Sequence, residues 1–261
     1  MKRPLITLLT DFGAGDHYVA AMKGVILGIC PQAEIIDISH EIPAFQIGFG
    51  AYTLAQAAPA FPAGTIHVAV VDPGVGTARR AIAARAGGQV FLGPDNGLLS
   101  MALGLTPRVA EITNRKLFRQ PVSTTFHGRD IFAPVAAHLA SGLAWGKIGQ
   151  RITDWRLGDF LAVPQTGPSE WTGSILSMDH FGNIVTNFPW KEFGDVFGQS
   201  FELKLGRTRI RTLAATYGNA PAETPFVLCG SSGFAEIALR HGSAVRKTGA
   251  LPATPLLLRR L

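Results

Sequence analysis

Three aspartates stand where a strand hands over to a loop. Asp11 follows the run Leu5–Thr10, Asp72 follows Thr65–Val71, and Asp95 follows Gln89–Leu92. Continuous apolar runs of this kind read as strands buried on both faces of a parallel sheet. In such sheets, ligands bind beyond the carboxyl ends of the strands. An aspartate before a helix is also a common N-cap. Asp95-Asn96-Gly97 is a standard turn sequence, so Asp95 reads as a cap. Asp11 and Asp72 have glycine-rich flanks that admit a ligand close to the backbone, and they read as functional.

The loop Val71-Asp72-Pro73-Gly74-Val75-Gly76-Thr77-Ala78-Arg79-Arg80 lacks both the dinucleotide GxGxxG and the Lys-Ser/Thr ending of a phosphate loop. It has one acid and two arginines. Either arginine can fold back on Asp72, keeping it ionised and rigid. A second polar stretch, Thr124-Thr125-Phe126-His127-Gly128-Arg129-Asp130, puts a histidine at a helix entrance. That position suits proton transfer, although capping or core packing explains a lone histidine equally well. Further on, Asp179-His180-Phe181-Gly182-Asn183 and Cys229-Gly230-Ser231-Ser232-Gly233-Phe234-Ala235-Glu236 are polar loops. They read either as turn and cap chemistry or as amide, hydroxyl and carboxylate groups for a zwitterionic or purine ligand.

The elements that must position these groups alternate strand and helix. Strands are expected over Leu5–Thr10, Glu34–Ser39, Thr65–Val71, Ala81–Arg85, Gln89–Leu92 and Arg108–Ile112. Helices are expected over His17–Cys30, Ile47–Ala58, Asn96–Gly104 and Asp130–Ser141. This is an α/β fold with a largely parallel sheet over residues 1–157. Residues 158–171 are rich in proline and turn formers and read as a linker. Residues 172–261 carry short strands at Gly173–Met178, Asn183–Asn187, Phe201–Leu205, Thr208–Arg211, Phe226–Cys229 and Leu256–Leu258, with a helix over Ala235–His241. They read as a smaller, β-barrel-like domain.

Composition narrows the function. The 261 residues are 47% apolar and 16% charged, as in a well-packed soluble protein. The net charge of +6 is scattered, with short clusters at Arg79-Arg80 and Arg259-Arg260. No basic stripe interleaved with aromatics points to nucleic acid. No apolar run reaches the roughly 18 residues of a membrane helix. The start Met1-Lys2-Arg3-Pro4 leads into too short an apolar stretch for a signal peptide, and reads as the first strand of an unprocessed, cytoplasmic chain. Cys30 and Cys229 lie far apart, without zinc-ligand spacing. No metal is expected, and both thiols read as buried and free.

Taken together, six segments resemble those of the S-adenosyl-L-methionine hydrolases, or hydroxide adenosyltransferases, relatives of the enzymes that make 5′-fluoro- and 5′-chloro-deoxyadenosine. They are Leu8-Leu9-Thr10-Asp11-Phe12-Gly13, Val71-Asp72-Pro73-Gly74-Val75-Gly76-Thr77, Gly93-Pro94-Asp95-Asn96-Gly97, Phe126-His127-Gly128-Arg129-Asp130, Asp179-His180-Phe181-Gly182-Asn183 and Gly230-Ser231-Ser232-Gly233. They run in order along nearly the whole chain. The resemblance implies hydrolysis of S-adenosyl-L-methionine to adenosine and L-methionine without a cofactor. It implies a homotrimer with each active site between subunits. It gives Asp72, Arg79 and His127 the handling of water, Arg79 being preferred to Arg80 by spacing. It gives Asp11 the ribose hydroxyls, Phe45 and Phe126 the wall around sugar and sulfonium, Asp179 and Ser231 the methionine end, Asn183 the adenine, and Glu236 a ligand contact. The halide-using relatives carry a serine where this chain has Gly128, and differ at Asp72, so both positions resemble the hydrolase branch.

The chemistry asks for such groups. A sulfonium leaves as a neutral thioether and needs no acid, whereas water must be oriented and deprotonated. General-base help contributes about 10²–10⁴-fold, and an aromatic face holds a sulfonium with roughly 0.5–2 kcal/mol. Rival readings are a halogenase, a metal-dependent phosphohydrolase using Asp11, Asp16 and Asp72, and a non-catalytic adenosine or S-adenosylmethionine sensor.

Overall fold

The computed structural model describes residues 3–261. Met1 and Lys2, read as the unprocessed start of the chain ahead of the first strand, lie outside the described residues. The chain divides into two compact units, Met1–Gly158 and Asp159–Leu261.

The first unit is built on β1 (Leu5–Thr10), α1 (Tyr18–Ile29), β2 (Glu34–Ser39), α2 (Ile47–Ala57), β3 (Ile66–Val70), β4 (Ala81–Ala86), β5 (Gln89–Pro94), β6 (Arg108–Glu111), α3 (Ala133–Ala140) and β7 (Arg151–Ile152). Its sheet has the order β2-β1-β3-β5-β4-β6-β7. The β2-β1-β3-β5 half is parallel, and the β4, β6 and β7 pairings are antiparallel. β3 is buried along its whole length, and β1 from Ile6 onward. This explains their unbroken apolar sequence. β4 and β5 form the expected hairpin around Gly87-Gly88. One face of the sheet packs α1 and α3 through Ile6, Leu8, Met22, Ile26, Val68, Phe132 and Val135.

The strand order fixes where a ligand can sit. From β1 the chain crosses to β2 on one side, then returns to β3 on the other, and β1 and β3 pair directly with Thr10 opposite Val70. That reversal opens a crevice at the carboxyl ends of the two strands. Asp11 and Asp72 emerge there side by side.

The second unit contains β8 (Gln165–Gly167), β9 (Glu170–Gly173), β10 (Ile175–Met178), β11 (Ile184–Pro189), α4 (Trp190–Phe197), β12 (Phe201–Leu205), β13 (Thr208–Ile210), β14 (Phe226–Cys229), β15 (Phe234–Ala238), α5 (Ala244–Thr248) and β16 (Leu256–Arg260). It holds two antiparallel sheets, β10-β11-β15-β14 and β13-β12-β16-β9-β8. Short strands in a barrel-like domain were expected; among the described residues they pair antiparallel in two open sheets rather than a closed barrel.

Several local expectations change. The stretch expected as a linker, residues 158–171, contains β8 and the start of β9. Residues 235–241, expected as a helix, give β15, a central strand between β11 and β14 with Ala235, Ile237 and Ala238 fully buried. Pairing on both edges outweighs helical propensity there. Residues 96–104 form turns that bury Leu98, Leu99 and Leu103. The helix expected from Asp130 begins instead with a π-turn, Gly128–Phe132, before α3. Cys30 is buried as expected, but Cys229 is exposed.

Candidate active site

The loop after β3 turns back on itself, as its glycines permit, and the arginine that reaches Asp72 is Arg79. Arg79 Nε donates to Asp72 Oδ1 at 3.0 Å and Oδ2 at 2.9 Å, and Nη2 donates to Oδ2 as well. Both side chains are buried, 8% and 4% exposed. Arg80 points elsewhere, to Asp95 at 2.7 Å and Asp154 at 2.8 Å. Asp95 is therefore more than the turn residue expected: its buried carboxylate accepts from Arg80 and from the Arg156 backbone N–H, at 2.7 Å. The local cap is made by Asn96 Oδ1, which accepts from Leu98 N–H at 3.1 Å.

His127 arrives from a segment 48 residues away, and Arg79 Nη2 meets its Nδ1 at 2.8 Å. Two features bring the segments together. Gly76, at φ +77°, passes so close to the Thr124 carbonyl that a Cβ would lie 2.4 Å from its oxygen; only glycine fits. Asp130, fully buried, holds the turn from within: it accepts from Arg129 Nε at 2.7 Å, Ser123 N–H at 2.9 Å and Arg119 Nη1 at 3.3 Å. A π-turn at this place fits the habit of such turns to occur at functional sites.

The contact between Arg79 and His127 settles a proton. A guanidinium only donates, so Nδ1 is the acceptor and a neutral His127 carries its hydrogen on Nε2. Burial, and next the positive charge of Arg79, push the His127 pKa below its ordinary value. The neutral form is thus favoured at pH 7.

Asp11, Phe12, Tyr18, Phe45, Asp72, Val75, Phe126, His127 and Gly128 are among the residues that line one cavity of about 440 Å³. That volume suits a small organic ligand. Asp11 Oδ2 accepts from the Phe45 N–H at 2.9 Å. It thereby holds a 68%-exposed aromatic residue at φ +66°, a strained backbone for a bulky side chain. Burial raises the Asp11 pKa, with the Asp72 charge a lesser contribution. Phe126 packs edge-on against Phe12 at 6.0 Å and Tyr18 at 5.1 Å, and Arg129 lies 4.8 Å over its ring. Phe12, quoted only as part of a segment, and Tyr18 were not nominated from the sequence, although an aromatic next to Asp11 and another opening α1 were there to be seen. A residue larger than glycine at 128 would place its Cβ 3.2 Å from Met22 Sδ and 3.4 Å from the Phe12 ring, which gives the Gly128 difference a physical basis.

The second unit gathers a separate group. Asp179 Oδ1 and Oδ2 accept from the Asn183 backbone N–H and side-chain Nδ2, both at 2.8 Å. Asp179, Phe181, Asn183, Tyr217 and Arg246 are among the residues lining a cavity of about 670 Å³. Glu236 does not line it; its Oε1 accepts from Tyr217 OH at 2.5 Å. Burial raises both pKa values, with mutual hydrogen bonding adding to the rise at Tyr217. Ser231 is exposed on the loop before β15, outside this cavity. Tyr217 was missed in the sequence because its partner lies 19 residues on. Among the described residues no three His, Cys, Asp or Glu side chains are grouped to hold a metal ion. No helix there is long and apolar enough to cross a membrane.

Comparison with known proteins agrees with the segments. Residues 6–149 match the SAM hydroxide adenosyltransferase N-terminal domain and residues 173–256 the C-terminal domain. The chain is 47% identical over 186 residues to an (R)-S-adenosyl-L-methionine hydrolase of Salinispora tropica, covering 69% of this chain and 70% of that protein. It is 36% identical over 262 residues to an (R)-S-adenosyl-L-methionine hydrolase of Thermus thermophilus, covering 97% and 98%. A crystal structure of an uncharacterized conserved protein from Thermotoga maritima superposes with TM-score 0.82 at 36% identity, covering 98% and 100%. A fluorinase of Actinoplanes is more distant, 30% identical over 215 residues, covering 70% and 71%.

Proposed function

The chain belongs to the SAM hydroxide adenosyltransferase family, and from that premise we propose how it works as an enzyme that hydrolyses S-adenosyl-L-methionine to adenosine and L-methionine. The observation that carries the mechanism is the Asp72–Arg79–His127 chain at the wall of the first cavity. Attack of water at C5′ expels the thioether, and the water must lose a proton. Arg79 occupies Nδ1 of His127, so the free nitrogen, Nε2, donates. His127 therefore orients the oxygen of the water rather than taking its proton, a reversal of the base role that the sequence suggested. Asp72 Oδ1, with a single hydrogen bond from Arg79, keeps a lone pair for that proton. Arg79 fixes both partners. Alignment of this kind is worth several kcal/mol, on the order of 7–11 in the best cases. Neither effect needs a metal.

Asp11 suits the ribose hydroxyls. Phe45 offers an exposed ring to the sulfonium, whereas Arg129 already lies over Phe126. Asp179 and Asn183 suit a zwitterionic or purine end, with Tyr217 beside them. Ser231 and Glu236 are retained as the weaker contacts, Glu236 acting through Tyr217. The relatives are named for the (R) sulfonium epimer, and we assign that epimer here. We also infer a homotrimer that completes each site from two subunits, because the ligand-type residues are divided between two dissimilar units and the aromatics Phe45 and Phe181 are exposed. We place the enzyme in the cytoplasm.

Incubation with each sulfonium epimer, followed by chromatographic identification of products, tests the reaction. Adenosine and methionine are expected, with or without a chelator or chloride. Chelator-sensitive turnover moves the reading to a metal phosphohydrolase type, and halogenated product moves it to the halogenase branch. Binding without product leaves only a sensor. Light scattering that finds an active monomer removes the trimer.

A further inference from the structure

A second cavity, of about 380 Å³, lies against the same aspartate. Its lining includes Asp72, Thr77, Arg79, Asp95, Asn96 and Arg156. Asp72 is the one residue common to this lining and that of the first cavity. The buried Asp72–Arg79 pair thus forms a partition between the two. The second cavity carries the charged side chains of Asp72, Arg79, Asp95 and Arg156 on its wall and is large enough for about a dozen waters at ~30 Å³ each. Its wall is stiff, because Asp95 is pinned by Arg80 and by the Arg156 backbone.

On the hydrolysis reading, each turnover consumes one water and releases one proton. The O–C5′ bond forms, the C5′–S bond breaks with its electron pair going to sulfur, and one O–H proton of the water passes to Asp72. A substrate in the first cavity blocks solvent from that side. We propose that the second cavity is the service route of the site: water reaches Asp72 through it, and the proton leaves Asp72 through it while substrate or product still fills the first.

Filling the route tests this. Ala78 lines the second cavity and is exposed, so Ala78→Leu fills it without disturbing a core. Gly74→Ala adds a methyl 3.5 Å from Arg79 Cγ and 3.9 Å from Asp72 Oδ1, ordinary contact distances. Ala78→Ser leaves the cavity open and serves as control. Single turnovers are followed in weak buffer with a pH indicator, alongside adenosine formation. In the wild type and in Ala78→Ser, proton and adenosine are expected to appear together. In both filled variants kcat falls about tenfold with KM within twofold, and the proton lags behind adenosine. Unchanged kcat and timing in both variants would overturn the route. So would a lower kcat with proton and adenosine still synchronous, which marks a displaced Asp72, or a raised KM, which marks a substrate subsite. A wild type that makes no adenosine removes the hydrolysis reading itself, and the route with it.

Discussion

The two polar groups of this chain are built on different principles. In the first unit, Asp72, Arg79 and His127 come from positions 7 and 48 residues apart; the buried Asp72–Arg79 pair interlocks with a half-buried His127, and Asp130 holds that segment from behind. In the second, Asp179 and Asn183 are four residues apart and satisfy each other within one turn, the exposed Asp179 reaching a buried Asn183. Long-range, over-determined geometry suits a step in which a reacting atom must be placed to fractions of an ångström. A local turn suits recognition, where some adjustment is tolerated.

Substitutions break this comparison where the two groups differ. Asp72→Asn keeps the shape but loses the proposed proton acceptor. Single-turnover kinetics should show kcat down about 10²-fold or more, while calorimetry shows substrate affinity nearly unchanged. A similar loss of affinity and rate together would make Asp72 a binding group like Asp179. His127→Ala should cost about as much, and His127→Gln, which restores a donor near the Nε2 position, should recover roughly tenfold of it. A glutamine no better than alanine would return His127 to the role of base. The rate should also fall on the acid side below pH 6.5. The His127 pKa is depressed, so its neutral form predominates at pH 7 and is lost as pH drops through that lowered value.

Binding residues should behave in the opposite sense. Asp179→Ala is expected to raise Kd about tenfold, the worth of one charge-assisted hydrogen bond, with kcat at saturation within a few-fold. Asp11→Ala should do the same and also release the Phe45 backbone from its positive φ, visible as a changed chemical shift of the Phe45 amide. A rate defect in Asp179→Ala as large as that of Asp72→Asn would erase the distinction between the two groups.

A smaller effect concerns stability alone. His67 is buried in the first unit's core, bonded to Thr7 Oγ1 at 2.7 Å and stacked on Phe91. Burial lowers its pKa to about 4. The unfolded chain takes up this proton near pH 6.5 and the folded one only near 4, so stability is full above pH 6.5 and declines by about 3 kcal/mol as pH falls to 4. Denaturant titrations of His67→Phe should show a flatter decline over that window.

What could be read from the chain follows the same divide between local and distant. The parallel strands announced themselves because burial on both faces leaves an unbroken apolar run, as in β3. Asp11, Asp72 and His127 were legible from strand ends and glycine flanks. The pairing of Arg79 with Asp72 was a matter of spacing, and that of Arg80 with Asp95 and Asp154 was not visible, since Asp154 lies 74 residues away. β15 read as a helix because Phe234-Ala235-Glu236-Ile237-Ala238-Leu239 suits one, and only its two neighbouring strands decide otherwise. Tyr217 stayed hidden for want of a local signal. The tautomer of His127 depended on a single 2.8 Å contact, which no spacing could supply.

The central claim is that water, placed by Asp72, Arg79 and His127, becomes the 5′-oxygen of the product. A single turnover of the chelator-treated enzyme in water labelled with heavy oxygen, analysed by mass spectrometry, tests it most directly. Adenosine carrying one heavy oxygen at its 5′-hydroxyl is the expected result, formed about 10²-fold more slowly by Asp72→Asn. Adenosine without the label, or labelled adenosine formed equally fast by Asp72→Asn, would contradict it.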